Sequence, residues 1–398
     1  YTFFETDLAA KALRELAPEQ NTETSNCPDD ALLWVIMLHD YYLFTGDRYI
    51  VEELYPTLHS TIDERLHANE GDDGLPRCRG SACPTCGAFY YQALRDASKL
   101  AAALSKHDDS VLWHSRAEAV FHAFNSTFWS DSAGRYESGE CSELADLRAT
   151  ALAVAFGLAD TGRCDRVKEL IASHDTLITG ADLGWSLYAF QAMSRLGMAS
   201  EALELIRSTW GGMLTRGATT WWNAFDAKPA SRCYAASGAP SWLLVAEVLG
   251  IKPSTPQSPV VIIQPRTGGL EWAKGGFSTH PGLLEVEWRR TKDAFQIDIN
   301  GPDGFIVALP VEGFARPFVE EHDLTPETPE RRARKTYGWG NVIWRDGEER
   351  DPYMDWLESQ EEEPPEQYES RERCRMEEDY IWVRESITTH VRYILRDG

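Results

Sequence analysis

The sequence predicts a mainly α chain of consecutive helical hairpins, followed by a small antiparallel β-sandwich and a charged tail. Three observations carry this. From Tyr1 to about Ile251, apolar residues recur at helical spacing in segment after segment, separated by short turns bearing Gly or Asp. At Pro253 the pattern changes to short alternating runs between Gly and Pro turns, which read as strands. From about Val311 onward charge dominates and apolar periodicity fades, as in a solvated or disordered segment. The expected domains are residues 1–251, 252–311 and 312–398.

The helices follow in order. Tyr1–Leu16 carries a stripe of Phe4, Leu8, Ala12 and Leu16 and breaks at Pro18. Asp30–Phe44 is strongly apolar and stops at Thr45-Gly46-Asp47, where Gly ends one helix and Asp caps the next. Arg48–Leu66 follows, with a local bend expected at Tyr55-Pro56. Three further pairs are Ala88–Ser105 with Ser110–Phe128, Ser142–Leu158 with Arg163–Ser173, and Asp182–Leu196 with Ala199–Met213. Ser237–Leu249 closes the series at Gly250, giving about ten helices in hairpins. Their lengths follow no fixed period, which argues against a TPR or HEAT array. The strands are Val260–Gln264, Leu283–Arg289, Phe295–Asn300 and Phe305–Leu309. In the tail, Glu361–Glu366 and Arg371–Asp379 are dense in charge, and Trp339, Trp344, Trp356 and Trp382 carry no fold assignment.

Composition narrows the function. A chain of 398 residues can bury a large core, and no apolar run approaches the roughly 18 residues of a membrane span. The net charge of -24 opposes nucleic acid and anionic membrane as partners and leaves neutral sugars unaffected. The 14 Trp fit sugar stacking, although Trp also fills cores. The 8 Cys do not mark a disulfide scaffold at this length. Cys78, Cys83 and Cys86 would begin a zinc site, but no His or Cys follows at finger spacing, so a loop disulfide or free thiols fits better. His39, His59, His107 and His114 fall on separate helices without metal-ligand spacing and read as structural. No nucleotide-binding or nucleophile-elbow motif is present, and no metal or cofactor is expected. The sequon Asn125-Ser126-Thr127 fits a secreted protein, with a cytoplasmic location left open.

Two stretches and the strand region carry a resemblance. The first is Asp30-Ala31-Leu32-Leu33-Trp34, continuing through Leu38-His39-Asp40-Tyr41-Tyr42-Leu43-Phe44-Thr45-Gly46-Asp47 to Leu54-Tyr55-Pro56. The second is Gly217-Ala218-Thr219-Thr220-Trp221-Trp222-Asn223, followed by the helix Ser237–Ile251. The strand region adds Ile262-Ile263-Gln264-Pro265, Leu270-Glu271-Trp272-Ala273-Lys274-Gly275 and Leu284-Glu285-Val286-Glu287-Trp288. In order and spacing, over roughly Tyr1 to Pro310, these resemble glycoside hydrolase family 78, the α-L-rhamnosidases. The resemblance implies an (α/α)6 six-hairpin toroid, incomplete at the N-terminus, with a C-terminal β-sandwich. It implies inverting hydrolysis of terminal α-L-rhamnosides, with a rhamnose-containing oligosaccharide or glycoside as partner.

Inversion needs two carboxyl groups about 6.5–9.5 Å apart, one to protonate the leaving oxygen and one to take a proton from water. In the family the acid lies in a loop before the helix that Tyr1–Leu16 resembles, so the resemblance implies a fragment that starts after it. The base is the Glu of Thr-Thr-x-Trp-Glu, and Asn223 stands at that position. An amide cannot accept the proton near neutral pH, although it can hydrogen-bond a sugar or orient a water. Asp226, three residues on, is the weak substitute, and a loop cap is its rival reading. Trp221 and Trp222 would lie beside the substrate floor; adjacent residues point different ways, so one packs while the other stacks on sugar. Asp30 and Trp34 match a sugar-pocket position, and Asp30 reads equally well as a helix cap. Asp182 and Trp185 fall near a hairpin start, where capping and core packing weigh more than a cleft role. Two other readings stand beside the hydrolase: a catalytically degenerate toroid that binds rhamnose-containing glycans, and another toroid enzyme such as a polysaccharide lyase. The last lacks a basic cluster around Trp221.

Overall fold

A computed structural model describes residues 6–18, 29–67, 70–78, 80–139, 141–173, 183–225, 231–253, 260–278, 282–292, 294–301, 306–310, 314–319, 343–345, 348–350, 374–377, 380–384 and 387–395. Two compact units are present. One is helical and holds Glu5–Gly197 and Ile206–Ala239; the other is rich in strands and holds Met198–Leu205 and Pro240–Gly398.

The helical unit contains α1 (Thr6–Glu15), α2 (Asp29–Thr45), α3 (Arg48–Ser60), α4 (Pro84–Ala103), α5 (His107–Phe128), α6 (Glu143–Phe156), α7 (Thr161–Ser173), α8 (Ser186–Arg195) and the second half of α9 (Ala199–Thr215). Alternate helices form the inner layer of the six-hairpin toroid: α2 packs on α4, α4 on α6 and α6 on α8. The reason is in their composition. α4 buries residues on every face, from Cys86, Phe89 and Tyr90 to Leu94, Ala97 and Leu100, as a helix covered on all sides must. α3 and α5 bury one stripe each, such as Trp113, Ala117, Val120 and Phe124 on α5, and take the outer positions. Ser98 Oγ donates to Ser110 O at 2.8 Å, fixing α4 to α5 inside the core.

The turn Thr45-Gly46-Asp47 works as the sequence predicts. Asp47 caps α3 by accepting from Tyr49 N and Ile50 N, and it also accepts from Tyr41 OH at 2.9 Å. Gly157 ends α6 at φ 81°, a left-handed position where a side chain would be strained. Pro56 lies inside α3, which continues through it into a wider π-type turn over Thr61–Leu66. His107 and His114 share α5 rather than lying on separate helices.

The helical connections are unequal. Those that precede α4, α6 and α8 are long, and two carry small ribbons: β1 (Arg77–Cys78) with β2 (Ser81–Ala82), and β3 (Trp129–Ser130) with β4 (Arg135–Tyr136). Those that follow α2, α4, α6 and α8 are tight turns. The inner helices therefore gather their long connections at their N-terminal ends, which form the mouth of the toroid.

In the second unit, α10 (Ala239–Leu243) runs through a π-type turn into β5 (Ile251–Pro253). Next come β6 (Val260–Ile263), β7 (Trp272–Ser278), β8 (Leu283–Arg290), β9 (Ala294–Gly301), β10 (Ile306–Pro310) and β11 (Phe314–Val319). The last strands are β12 (Ile343–Arg345), β13 (Glu348–Arg350), β14 (Cys374–Glu377), β15 (Tyr380–Arg384) and β16 (Ile387–Leu395). They make two five-stranded sheets, ordered β14-β15-β10-β6-β5 and β11-β16-β9-β8-β7. On β8, Leu284, Val286 and Trp288 turn inward while Glu285 and Glu287 turn out, matched by Phe295, Ile297 and Ile299 of β9. Trp288 Nε1 donates to Val248 O at 2.7 Å. Gly250, at φ 79°, lies so near the Gln264–Pro265 backbone that any Cβ would collide with it at 2.2 Å.

Trp288 and the buried pair Glu247–Lys252, 2.9 Å apart, tie the segment after Pro240 to the strands that follow it. Two expectations change here. The sandwich is not wholly antiparallel, since β10 runs parallel to β6. Residues 312–398 are not only a solvated tail: β14 and β15 extend one sheet, and β16 pairs with both β9 and β11 in the other. Glu361–Glu366, Trp339 and Trp356 lie outside the described residues.

Candidate functional site at the mouth of the toroid

Three inner helices bring aromatic rings together inside the toroid. Phe89 of α4, Phe156 of α6 and Tyr188 of α8 pack with centroids 5.3–5.7 Å apart. Trp185, in the 3-10 turn Leu183–Trp185 that leads into α8, stands 6.0 Å from Phe89 and 6.0 Å from Tyr188. The guanidinium of Arg148, on α6, lies 5.1 Å from the centre of the Trp185 ring, a cation–π contact. Burial pushes the Tyr188 hydroxyl far above the usual phenol range, so it stays protonated.

Below Arg148 on the same helix is Asp146. It occupies the first turn of α6, is only 4% exposed, and its Oδ1 makes no hydrogen bond among the described residues. Burial raises its carboxyl above the usual range, against the pull of a Ser138 backbone hydrogen bond and of Arg135. On α2, burial likewise raises the Asp40 carboxyl, opposed by His39. The Asp40 side chain keeps 37% of its surface accessible, so it lies in a recess rather than in packed core. His39 Nδ1 faces Asp96 Oδ1 at 3.4 Å, which agrees with a structural role for that histidine.

Beside these rings runs the connection from Arg216 to Gly238, described up to Phe225 and again from Ser231. Its two limbs pair: Asn223 N donates to Ser231 O at 3.0 Å, and Tyr234 N donates to Trp221 O at 2.8 Å. Thr220 Oγ1 donates to Arg232 O. The fully buried Ser237 donates to Trp222 O at 2.6 Å, and Trp210 Nε1 donates to Ser237 O at 3.0 Å. The turn Ala235–Gly238 packs on Leu183–Trp185 and α8, so this connection and the aromatic wall adjoin.

The expected site residues are distributed unevenly. Trp221 is half-buried and Trp222 is 5% exposed, the opposed orientations expected of neighbours. Trp222 packs beneath the guanidinium groups of Arg216 and Arg232, 5.0 and 5.4 Å from its ring centre. Asn223 is half-buried, and its Oδ1 accepts from Ser231 N at 2.9 Å, so its side chain holds the two limbs together. Trp185 joins the wall. Trp34 lies elsewhere: it is 2% exposed and its indole donates to Leu13 O at 2.9 Å, which makes it the packing residue between α1 and α2. Asp30 is exposed in the first turn of α2. Asp182 and Asp226 lie outside the described residues.

Sequence reasoning missed Phe89, Asp146, Arg148 and Tyr188. A signal existed for two of them: Asp146 and Arg148 interrupt a helix that is otherwise apolar nearly all round. Among the described residues, no group of three or more His, Cys, Asp or Glu side chains converges as a metal ion would require. No helix among the described residues is long and apolar enough to cross a membrane. The sequon asparagine is engaged within the fold: Asn125 Nδ2 donates to Phe121 O and Leu158 O, both at 3.0 Å, while its Oδ1 accepts from Tyr136 OH.

The chain is similar to several known proteins. An α-L-rhamnosidase of Alteromonas sp. (strain LOR) is 24% identical over 307 residues, covering 67% of this chain and 32% of that protein, so the chain spans about a third of that relative. The α-L-rhamnosidase structure from Dictyoglumus thermophilum superposes with a TM-score of 0.69 at 18% identity, over 99% of this chain and 44% of that one. The Streptomyces avermitilis α-L-rhamnosidase, solved with L-rhamnose, gives a TM-score of 0.65 at 15% identity, over 97% of this chain and 36% of that one. At those identities the likeness is one of fold. The family model of the bacterial α-L-rhamnosidase C-terminal domain matches residues 250–316. The model of the bacterial α-L-rhamnosidase 6 hairpin glycosidase domain matches residues 5–248, more than half of the chain, and the chain belongs to that family.

Proposed function

We propose that the mouth receives a terminal α-L-rhamnoside and that the protein is a glycoside hydrolase of α-L-rhamnosidase type acting by inversion. The observation that supports this best is the half-buried Trp221 beside the wall of Trp185, Tyr188 and Arg148, at the mouth of a six-hairpin toroid of the rhamnosidase family. A flat ring stacks on the apolar face of a deoxy sugar, and a guanidinium serves its hydroxyls. In this reading Trp221, Trp185, Asp30 and Asp182 contact the sugar, and Trp222 supports Trp221. Inversion requires a carboxylate to take the proton of the attacking water. Asn223 supplies none, and Asp226 is the substitute base.

A second reading has a specific observation in its favour: a toroid that binds rhamnose-containing glycans without cutting them. At the position where the family resemblance expects a base, the Asn223 carbonyl oxygen is already bonded to Ser231 N. One set of measurements separates the two readings. Hydrolysis of an aryl α-L-rhamnoside, with β-L-rhamnose as the first anomer seen by proton NMR and lost in Asp226→Asn, supports the hydrolase. Calorimetric binding of L-rhamnose without product supports the second reading, especially if Asn223→Glu then turns substrate over. Neither binding nor hydrolysis would sink both.

A further inference from the structure

Two cysteines far apart in sequence meet at the mouth. Cys83 is the N-cap of α4, with extended backbone at φ -125° and ψ 124°. Cys141 directly precedes Ser142, the N-cap of α6. Because α4 and α6 pack side by side, the connections that feed them arrive together, and the Cys141 thiol lies in hydrogen-bonding contact with that of Cys83. Both residues are partly exposed, within reach of a small oxidant. Cys86, which the sequence groups with Cys83, is instead 1% exposed inside α4, and Cys78 stands opposite Ser81 in the β1–β2 ribbon.

We propose that Cys83 and Cys141 form a reversible disulfide that staples the connection before α4 to the connection before α6. The oxidant is a small-molecule disulfide, such as oxidised glutathione. One protein thiolate attacks it, forming a mixed disulfide and releasing one small thiol. The second protein thiolate attacks the protein sulfur of that mixed disulfide and releases the second small thiol. Two protein thiols are thus oxidised to one disulfide while one small disulfide is reduced to two thiols, with no net change in protons. The Ser138 hydrogen bond draws the Cys141 thiol down, but burial, Cys83 and Asp146 outweigh it and leave the group raised. Closure is therefore slow at neutral pH and quickens as pH rises. Once closed, the ring from Cys83 to Cys141 encloses α4 and α5 and pins the loop that carries Ser138 against Asp146.

The test uses the full chain, equilibrated with oxidised glutathione at pH 8 or with dithiothreitol, then alkylated and mapped by non-reducing mass spectrometry. The expected result is a peptide pair linked through Cys83 and Cys141, with a melting temperature on the order of 5–10 °C above the reduced form. Cys83→Ser and Cys141→Ser should each abolish both effects while keeping the far-ultraviolet spectrum of the reduced protein. Alkylation of both thiols to the same extent in oxidised and reduced wild-type protein would overturn the proposal without recourse to any variant. So would a link that maps to Cys78, Cys86 or another cysteine. A Cys83–Cys141 link that leaves the melting temperature unchanged would overturn the stapling.

Discussion

Phe89, Phe156, Trp185 and Tyr188 are held by ring packing across three inner helices. The adjoining limbs of the 216–238 connection are held by hydrogen bonds, from Asn223 to Ser231, Tyr234 to Trp221 and Ser237 to Trp222. The difference separates two duties. Packed rings on helices have one arrangement and resist change, because close packing leaves few alternatives. A hydrogen-bonded connection can alter one residue at a time and keep its path. The position where the resemblance expects a base lies on the adaptable side, and there the Asn223 side chain latches the two limbs together.

The largest expected effect tests the packed side. Phe89→Ala, at a residue 4% exposed, should cost about 3–5 kcal/mol in urea denaturation. A loss below about 1 kcal/mol would mean that the wall is not packed as described. Ser237→Ala should cost about 1–3 kcal/mol, because it strands the Trp222 carbonyl in a buried site. Asp146→Asn sharpens the comparison through pH. The wild-type carboxyl is raised in the fold from its reference value of 3.8, so charging it opposes folding. Below the unfolded value, variant and wild type should be equally stable. As pH rises through the higher folded value, the wild type loses ground, and the variant should melt higher at pH 7. Melting curves of both proteins from pH 3 to 8 check this, and a constant offset would refute it. The smallest effect is expected at Asn223→Ala, about 0.5–1.5 kcal/mol for one half-buried hydrogen bond.

The helical half was readable because periodicity there is local: each stripe, turn and cap lies within a few residues of the next. Thr45-Gly46-Asp47 is a clear case, since its donors and acceptors lie between Tyr41 and Ile50. The strands Tyr380–Arg384 and Ile387–Leu395 were not readable, for the opposite reason. Their partners, Ile306–Pro310, Phe314–Val319 and Ala294–Gly301, stand far upstream, and the charged stretch between them hides the alternation. At the site, the opposed orientations of Trp221 and Trp222 follow from adjacency alone. That Trp34 packs against Leu13, that Arg148 lies over Trp185, and that the sequon at Asn125 is locked to Tyr136 all depend on which helices become neighbours. Cysteine spacing is a partial guide for the same reason, because the Cys141 thiol that touches Cys83 lies far from it in sequence.

The inequality of the helical connections also bears on redesign. Tight turns at the far ends of the inner helices, such as the one at Gly157, are fixed by left-handed backbone and caps, and an inserted residue there would rotate the next helix out of register. The connections before α4 and α6 are longer and keep their own left-handed glycines, such as Gly80 and Gly134, inside the ribbons β1–β2 and β3–β4. A change of length is better absorbed there than in a tight turn. It must spare anchors such as Tyr136, which is fully buried and bonded to Asn125, if the helical frame is to stay as it stands.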